Sequence, residues 1–363
     1  MAKKLASDPT LFTVTLVLLG LGLVMVWSAS SALAQEQQGD PYHFLVKQGL
    51  WACLGVAVML AVMRLDYRRL RQPPVVYSVL LVTTLMLIVV LFLPSVNDTK
   101  RWIRLGALSF QPAEAAKFAV VLFLAAHLER RAERVNEFLT SLFPALLLLG
   151  WFAFLIFIQP DLGSAATLVL IGATLLFLGG VRLRAFALLG LVALPVLYVG
   201  VMSASYRRER IFGYLDPWSD PLKSGYQIIQ SLTAVGLGGV TGVGLMEGRQ
   251  KLFYLPYPYS DFIYAVIGEE LGLIGASAVV GGFLLFLWRG VRAASRAPDA
   301  FGTYLAAGLT MTIVLQAMIN MSVVLGLLPT KGIPLPFISA GGSSLLLTMA
   351  AVGLILNVSQ HAD

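Results

Sequence analysis

This 363-residue chain has very little cysteine, histidine or charge, and each scarcity excludes something. Its single cysteine, Cys53, has no partner to bridge to, which rules out a disulfide framework and leaves core packing as its expected role. His43, His127 and His361 are too scattered for a metal-ligand cluster. Only 12% of residues are charged and 58% are hydrophobic, more apolar surface than a water-soluble core can hide.

The sequence is rich instead in long apolar runs. A helix that crosses a bilayer needs about 20 mostly apolar residues. Such runs lie at 11–31, 44–63, 75–94, 112–128, 140–159, 162–180, 184–202, 262–288, 301–326 and 337–357. The expectation is an all-α integral membrane protein: one polytopic domain over 1–363, with ten spans and a large extracellular loop between the seventh and eighth. The run at 112–128 is the weakest, because it is short and opens with Glu114 and Lys117. The first run follows only two lysines and runs past 20 residues without an A-x-A site, too long for a signal's apolar stretch, so it reads as a retained helix and not a cleaved signal.

Lysine and arginine placement sets the orientation. With the N-terminus inside, the cytoplasmic segments collect Lys3, Lys4, Arg64, Arg68, Arg69, Arg71, Arg130, Arg131, Arg134, Arg182, Arg184, Arg289, Arg292 and Arg296. Outside lie fewer: Lys100, Arg101, Arg104, Arg207, Arg208, Arg210, Lys223, Arg249, Lys251 and Lys331. Both termini are therefore expected in the cytoplasm. The net charge of +7 also leaves a cationic exterior, suited to a phosphate-bearing lipid head group and not to nucleic acid.

Residues 203–261 form the longest connection, of a length that is often functional. Within it Ile228, Ile229, Leu232 and Val235 recur at helical spacing, which predicts a short amphipathic or re-entrant helix at the outer interface. The glycine-rich run at 236–244 opens no βαβ unit, so it is not a dinucleotide fingerprint. No internal repeat is apparent, which disfavours repeat-built transporters.

A charge at the bilayer centre costs on the order of 3 kcal/mol, so ionisable residues in or beside the spans mark candidate sites. Lys47 sits one turn inside the second span and reads as a snorkelling residue. Glu114 and Lys117, three apart on one helix face, either neutralise each other or offer a cation to a phosphate. Glu269 and Glu270 lie about 12 Å along a helix from Asp261 and point in different directions, so they cannot share one partner: one structural and the other lining a cavity is the expectation. Asp161 in "QPDLGS" reads as a helix N-cap. Asp261 has the same option in "YSDF". Its neighbours on the outer face argue for more: Arg101, Trp102 and Arg104, then Arg207 to Arg210, then the helix start "SAGGSS", where Gly341, Gly342, Ser343 and Ser344 leave amides open to phosphate or to ordinary capping. One carboxylate among cations suits acid-base chemistry on a phosphorylated lipid.

Five stretches in order, "KRWIRLGALSFQPAEAAKF" (100–118), "QPDLGSA" (159–165), "DPWSDPLKSGYQIIQSLTAVGLGGVTGVGL" (216–245), "LPYPYSDFIYAVIGEELG" (255–272) and "GLLPTKGIPLPFISAGGSS" (326–344), resemble the SEDS family, the shape, elongation, division and sporulation proteins. The likeness spans nearly the whole chain and is greatest to the rod-shape branch. It implies a peptidoglycan glycosyltransferase that polymerises lipid II, a disaccharide-pentapeptide on undecaprenyl pyrophosphate. It gives Asp261 the essential carboxylate, matches Trp102 to the family's "RW" tryptophan, and matches Glu114 and Lys117 to polar positions of the fourth span. Lys117, Arg101, Arg104 and Arg210 would then face the pyrophosphate, with Asp161, Glu269, Glu270 and Ser343 as further candidate contacts. A divalent ion, Mg²⁺ or Mn²⁺, is a possible bridge between phosphate oxygens. The resemblance also implies a class B penicillin-binding protein, a transpeptidase, as partner. The chain departs from the family's "LPExHTDF" at Tyr257 and Tyr259, and from "SYGGSS" at Ala340, so those positions bring no second base and no tyrosine hydroxyl. The rival functions are a flippase for the lipid-linked precursor and a membrane scaffold.

Overall fold

In hydrocarbon the backbone must satisfy its own N–H and C=O groups, so the apolar runs fold as helices. The computed structural model describes residues 7–94, 100–105 and 108–361; Lys3 and Lys4 lie outside the described residues. The helices are α1 (Pro9–Gln38), α2 (His43–Val62), α3 (Pro73–Val89), α4 (Pro112–Arg130), α5 (Phe143–Ile158), α6 (Leu162–Leu178), α7 (Leu183–Met202), α8 (Ser205–Leu215), α9 (Tyr226–Gly238), α10 (Ile263–Ser295), α11 (Ala300–Val324) and α12 (Gly342–Ser359). A small antiparallel hairpin, β1 (Ile103–Leu105) and β2 (Leu108–Phe110), joins α3 to α4.

Each apolar run coincides with a helix, α1 to α7 and α10 to α12. Among the described residues, eight helices are long and apolar enough to cross a membrane, with α3 continued to Phe92 and α5 begun at Phe138. Of the other two, α6 is apolar but has 17 residues, and α4 carries the charges of the weak run. The weakness of α4 has a packing cause. It lies against α3, α5, α6, α11 and α12 and is buried on nearly every side, so it needs no lipid-compatible face. The converse is α7, whose surface faces almost wholly outward.

The connection after α7 is folded, and it holds two helices where one was expected. The foreseen one is α9, which buries Ile228, Ile229 and Ala234 and packs on α10 and α11. Its Gly238 meets the backbone of Gly268, where a Cβ would come within 1.9 Å of the carbonyl oxygen. The second, α8, holds Arg207 to Arg210. The second half of the segment is tied to α10 by backbone hydrogen bonds.

That half completes a broken helix. At Gly272 (φ 64°, ψ −163°) α10 leaves helical geometry, a conformation open to glycine. Residues 239–244 fill the break: the amides of Val243 and Gly244 donate to the carbonyls of Glu269 and Glu270, and those of Leu273 and Ile274 donate to Gly239 and Val240, at 2.9 to 3.2 Å. No freed backbone group need face lipid.

At the end of the bundle where α1 begins and α12 finishes, Asp8 caps α1 and pairs with Arg289 at 2.5 Å. There too the buried Tyr67 hydroxyl donates to Asp299 at 2.7 Å, beside Arg68 on the same carboxylate at 3.1 Å. The core runs from this clasp to the opposite end, where α12 begins and the candidate site lies.

Candidate active site

A cavity of about 810 Å³ opens at that opposite end. It is built from the start of α2, the β1–β2 hairpin and the residues before it, the N-cap residues of α4 and α6, α8, Gln227 of α9, the turns before α10 and after α11, and the first turn of α12. Five cations line it, Lys47, Arg101, Arg104, Arg210 and Lys331, with two carboxylates, Asp161 and Asp261.

Asp261 sits in the turn that leads into α10. Its helix-cap reading fails, because Phe262 holds the cap position and no side chain caps the helix. Backbone bonds fix the turn instead. Asn320 of α11 donates through one side-chain nitrogen to the carbonyls of Asp261, at 2.8 Å, and Ile333, at 2.7 Å. Ser339 donates to the Ser260 carbonyl at 2.5 Å, and the Ala340 amide to Tyr259 at 2.9 Å. Asn320 thus clamps the 261 turn to the 331–334 segment, and the carboxylate lies against Gly332, where an added Cβ would be 2.6 Å from Oδ2. Burial pushes the Asp261 carboxyl up to about 6, against the lowering pull of Ser260, Arg210 and Lys331.

Asp161 caps α6 by accepting from the Ser164 amide at 3.0 Å, as expected, yet it also faces the cavity. Burial pushes its carboxyl up, but Lys331, Arg101 and the Ser164 amide outweigh this and hold it below its ordinary value. Arg101 approaches it at 4.0 Å and donates to the carbonyls of Gln159, at 3.1 Å, and Pro160. Trp102, Arg104 and Arg210 also line the cavity. So does Ser343, in the first turn of α12, whose N-cap Gly341 offers no side-chain bond. The Gly341 amide donates to Gln48, which in turn donates to the Ser339 carbonyl, so α2 holds this helix start in place.

Four expected contacts do not reach the cavity. Lys117 is 2% exposed and gives its ammonium to Glu114 at 2.7 Å and Gln316 at 2.5 Å, while the other oxygen of Glu114 accepts from Ser344 at 3.1 Å. The pair is buried and engaged by protein groups, and neither residue lines the cavity. Glu269 and Glu270 have separate partners, as their directions require. Glu269 accepts from the amides of Arg249 and Gln250, at 2.7 and 3.2 Å. Glu270 accepts from Ser28, the Met246 amide and Lys251, the last at 2.6 Å. These contacts hold the 246–251 turn, and neither acid lines the cavity.

Two cations were missed. Lys47 was read as snorkelling, yet it lines the cavity. Lys331 lay in plain view inside "LPTKGIPLP", where a lone lysine between apolar and proline-rich flanks is a signal of a charge held in place.

The family model described as FTSW_RODA_SPOVE, cell cycle protein, matches residues 9–363. This chain belongs to that family. As a SEDS protein it is 45% identical over 357 residues to the probable peptidoglycan glycosyltransferase FtsW of Geobacter sulfurreducens, covering 97% of this chain and 95% of that one. It is 43% identical over 364 residues to stage V sporulation protein E of Bacillus subtilis, covering 99% of each. Among solved structures it is similar to the rod shape determining protein RodA of Thermus thermophilus, with TM-score 0.72, 28% identity, and coverage of 98% and 97%. It is also similar to a chain of a peptidoglycan synthase complex, solved for the structural coordination of polymerization and crosslinking, with TM-score 0.79, 31% identity and 98% coverage of both.

The residues do not fit a protein-built metal site. Among the described residues no three His, Cys, Asp or Glu side chains converge, and each carboxylate of the cavity is already faced by cations. A Mg²⁺ or Mn²⁺ ion bound here would take its oxygens from water and a bound phosphate.

Proposed function

We propose that this chain is a peptidoglycan glycosyltransferase that polymerises lipid II into glycan strands at the outer face of the cytoplasmic membrane, with Asp261 as general base. One observation carries the proposal: Asp261 caps nothing, and it lies in a cation-lined cavity with its carboxyl raised to about 6. A base poised near working pH both accepts a proton and is present in its charged form. The acceptor's 4-hydroxyl gives its proton to Asp261 while its oxygen attacks the donor's anomeric carbon, and undecaprenyl pyrophosphate departs. The leaving group is already a stable anion and needs cations, not an acid. One carboxylate is enough.

Relatives named as probable peptidoglycan glycosyltransferases support the reaction class. The lysine and arginine distribution supports cytoplasmic termini and an outward cavity. A class B penicillin-binding protein is the proposed partner, and bilayer lipids surround the bundle. Within the family, the 45% and 43% identities to FtsW and stage V sporulation protein E favour division or sporulation, and the 28% identity to RodA supports elongation and cell shape as the second reading. A flippase would use charges along a path through the bilayer, but Glu114, Lys117, Glu269 and Glu270 are all engaged by protein groups.

Purified protein given labelled lipid II separates the readings. Glycan strands are expected. Transfer of lipid II between leaflets without polymer would make it a flippase, and neither outcome would leave a scaffold.

A further inference from the structure

Among the described residues, Lys331 is the only charged side chain with a buried polar atom that finds no hydrogen-bond partner. A buried ammonium without a partner is costly, so something outside the chain is expected to complete it. The nearby acids are already engaged. Asp161 is taken by the Ser164 amide and Arg101, and Glu114 by Lys117 and Ser344. Asp161, Lys117, Glu114 and Arg101 act on Lys331, and Lys331 and Arg210 in turn act on Asp261. Taken together, four cations, Lys331, Lys117, Arg101 and Arg210, face three acids, Asp161, Glu114 and Asp261. Burial lowers the ammonium to about 8, and a bound anion would reverse that.

Geometry fixes where the anion would lie. The stem of Lys331 runs across Gly163 in the first turn of α6, where an added Cβ would be 1.7 Å from Cε. Ser343, in the uncapped first turn of α12, lines the same cavity. On the other side, the next residue, Gly332, touches the Asp261 carboxylate. Base and ammonium are therefore carried on either side of one glycine.

The geometry points to a diphosphate subsite centred on Lys331, flanked by Arg101 and the start of α12, that holds the donor's leaving group while the acceptor hydroxyl meets Asp261. This rests on the glycosyltransferase reading. In the step, the hydroxyl proton passes to Asp261 and the acceptor oxygen bonds to the donor's anomeric carbon. The bond from that carbon to the diphosphate oxygen breaks, and its electron pair leaves on the diphosphate facing Lys331. An ammonium with no competing partner meets the new charge without first giving up a bond.

The test uses farnesyl diphosphate and farnesyl monophosphate as probes, titrated into the full-length protein in detergent with Trp51 and Trp102 of the cavity wall as fluorescent reporters. Wild type is expected to bind the diphosphate more tightly than the monophosphate. Lys331→Met should weaken the diphosphate by about tenfold or more, and Lys331→Arg should keep most of it. Wild-type affinity should also fall as pH rises past about 8, a readout that needs no substitution and holds if Lys331→Met fails to fold. No binding by wild type, equal binding by Lys331→Met, or a pH-independent affinity would overturn the subsite. Binding is read without turnover, so the two proposals separate. Wild type that binds the diphosphate but makes no glycan keeps the subsite and loses the polymerase, whereas glycan synthesis with unchanged Lys331→Met binding loses the subsite alone.

Discussion

A methyl group added to Gly332 would stand 2.6 Å from Oδ2 of Asp261. The backbone of Gly332 is not in the left-handed region, so the position asks for empty space and not for unusual torsion. Gly332→Ala should therefore fold and melt as wild type does while displacing the carboxylate. A misplacement of about 1 Å at a reacting group costs about 10² in rate. Glycan synthesis from lipid II is the measurement, and an alanine protein of full activity would mean the carboxylate need not lie there.

Asp261→Asn keeps the shape of the side chain and, since no cap is lost, should leave the thermal midpoint unchanged. Losing a general base costs about 10² to 10⁴ in rate, or about 3 to 5 kcal/mol at the barrier. The variant should purify normally, still bind lipid II, and make no detectable polymer on a gel. Polymer at wild-type rate would return Asp261 to a structural role.

The rate of polymerisation should follow a bell in pH. Asp261 must be ionised, so activity rises as pH climbs through about 6; Lys331 must be protonated, so activity declines above about 8. Lys331→Arg should move the alkaline limb out of range, since guanidinium stays charged. Initial rates across pH check this, and an unshifted alkaline limb in the arginine variant would assign that limb to another group.

Lys251 and Glu270 form a buried pair at 2.6 Å. Lys251→Met strands the carboxylate and should cost about 3 to 5 kcal/mol of stability. Adding Glu270→Gln to it removes the stranded charge and should recover part of the loss. Thermal unfolding of the single and double variants in detergent decides it: a double variant no more stable than the single would mean the charge was not the problem.

At the other end of the bundle, Tyr67→Phe deletes the hydroxyl that donates to Asp299 at 2.7 Å and leaves the ring in place. The expected cost is about 1 to 3 kcal/mol, seen as a lower melting temperature with lipid II polymerisation unchanged. A loss of activity without a loss of stability would tie that clasp to the cavity.

The helices could be read from the sequence because each is a run of apolar residues, and run length is a local property. Asp261 and the arginines at 101, 104 and 210 stood out as charges beside apolar runs, and Trp102 was found through its match to the family's "RW" pair; all five line the cavity. Residues whose role is set by a distant partner could not be read this way. Glu270 meets Ser28 across most of the chain, and Lys117 meets Gln316; spacing along one helix carries no trace of either. Lys47 and Lys331 were passed over for a related reason. A lysine near a span edge looks the same in sequence whether its ammonium reaches water or a cavity wall. Asn320 gave no signal, although it clamps the Asp261 turn.

The break in α10 bears on how the chain is made. The partners that complete it, residues 239–244, come before α10 in the sequence and so leave the ribosome first. By the time Leu273 and Ile274 are synthesised, the carbonyls of Gly239 and Val240 already exist to receive them. A helix that carries two acids and an interrupted backbone is hard for insertion machinery to release into lipid alone. Entering together with the preceding segment, as one hydrogen-bonded unit, it would have partners at hand for the backbone groups that its break frees.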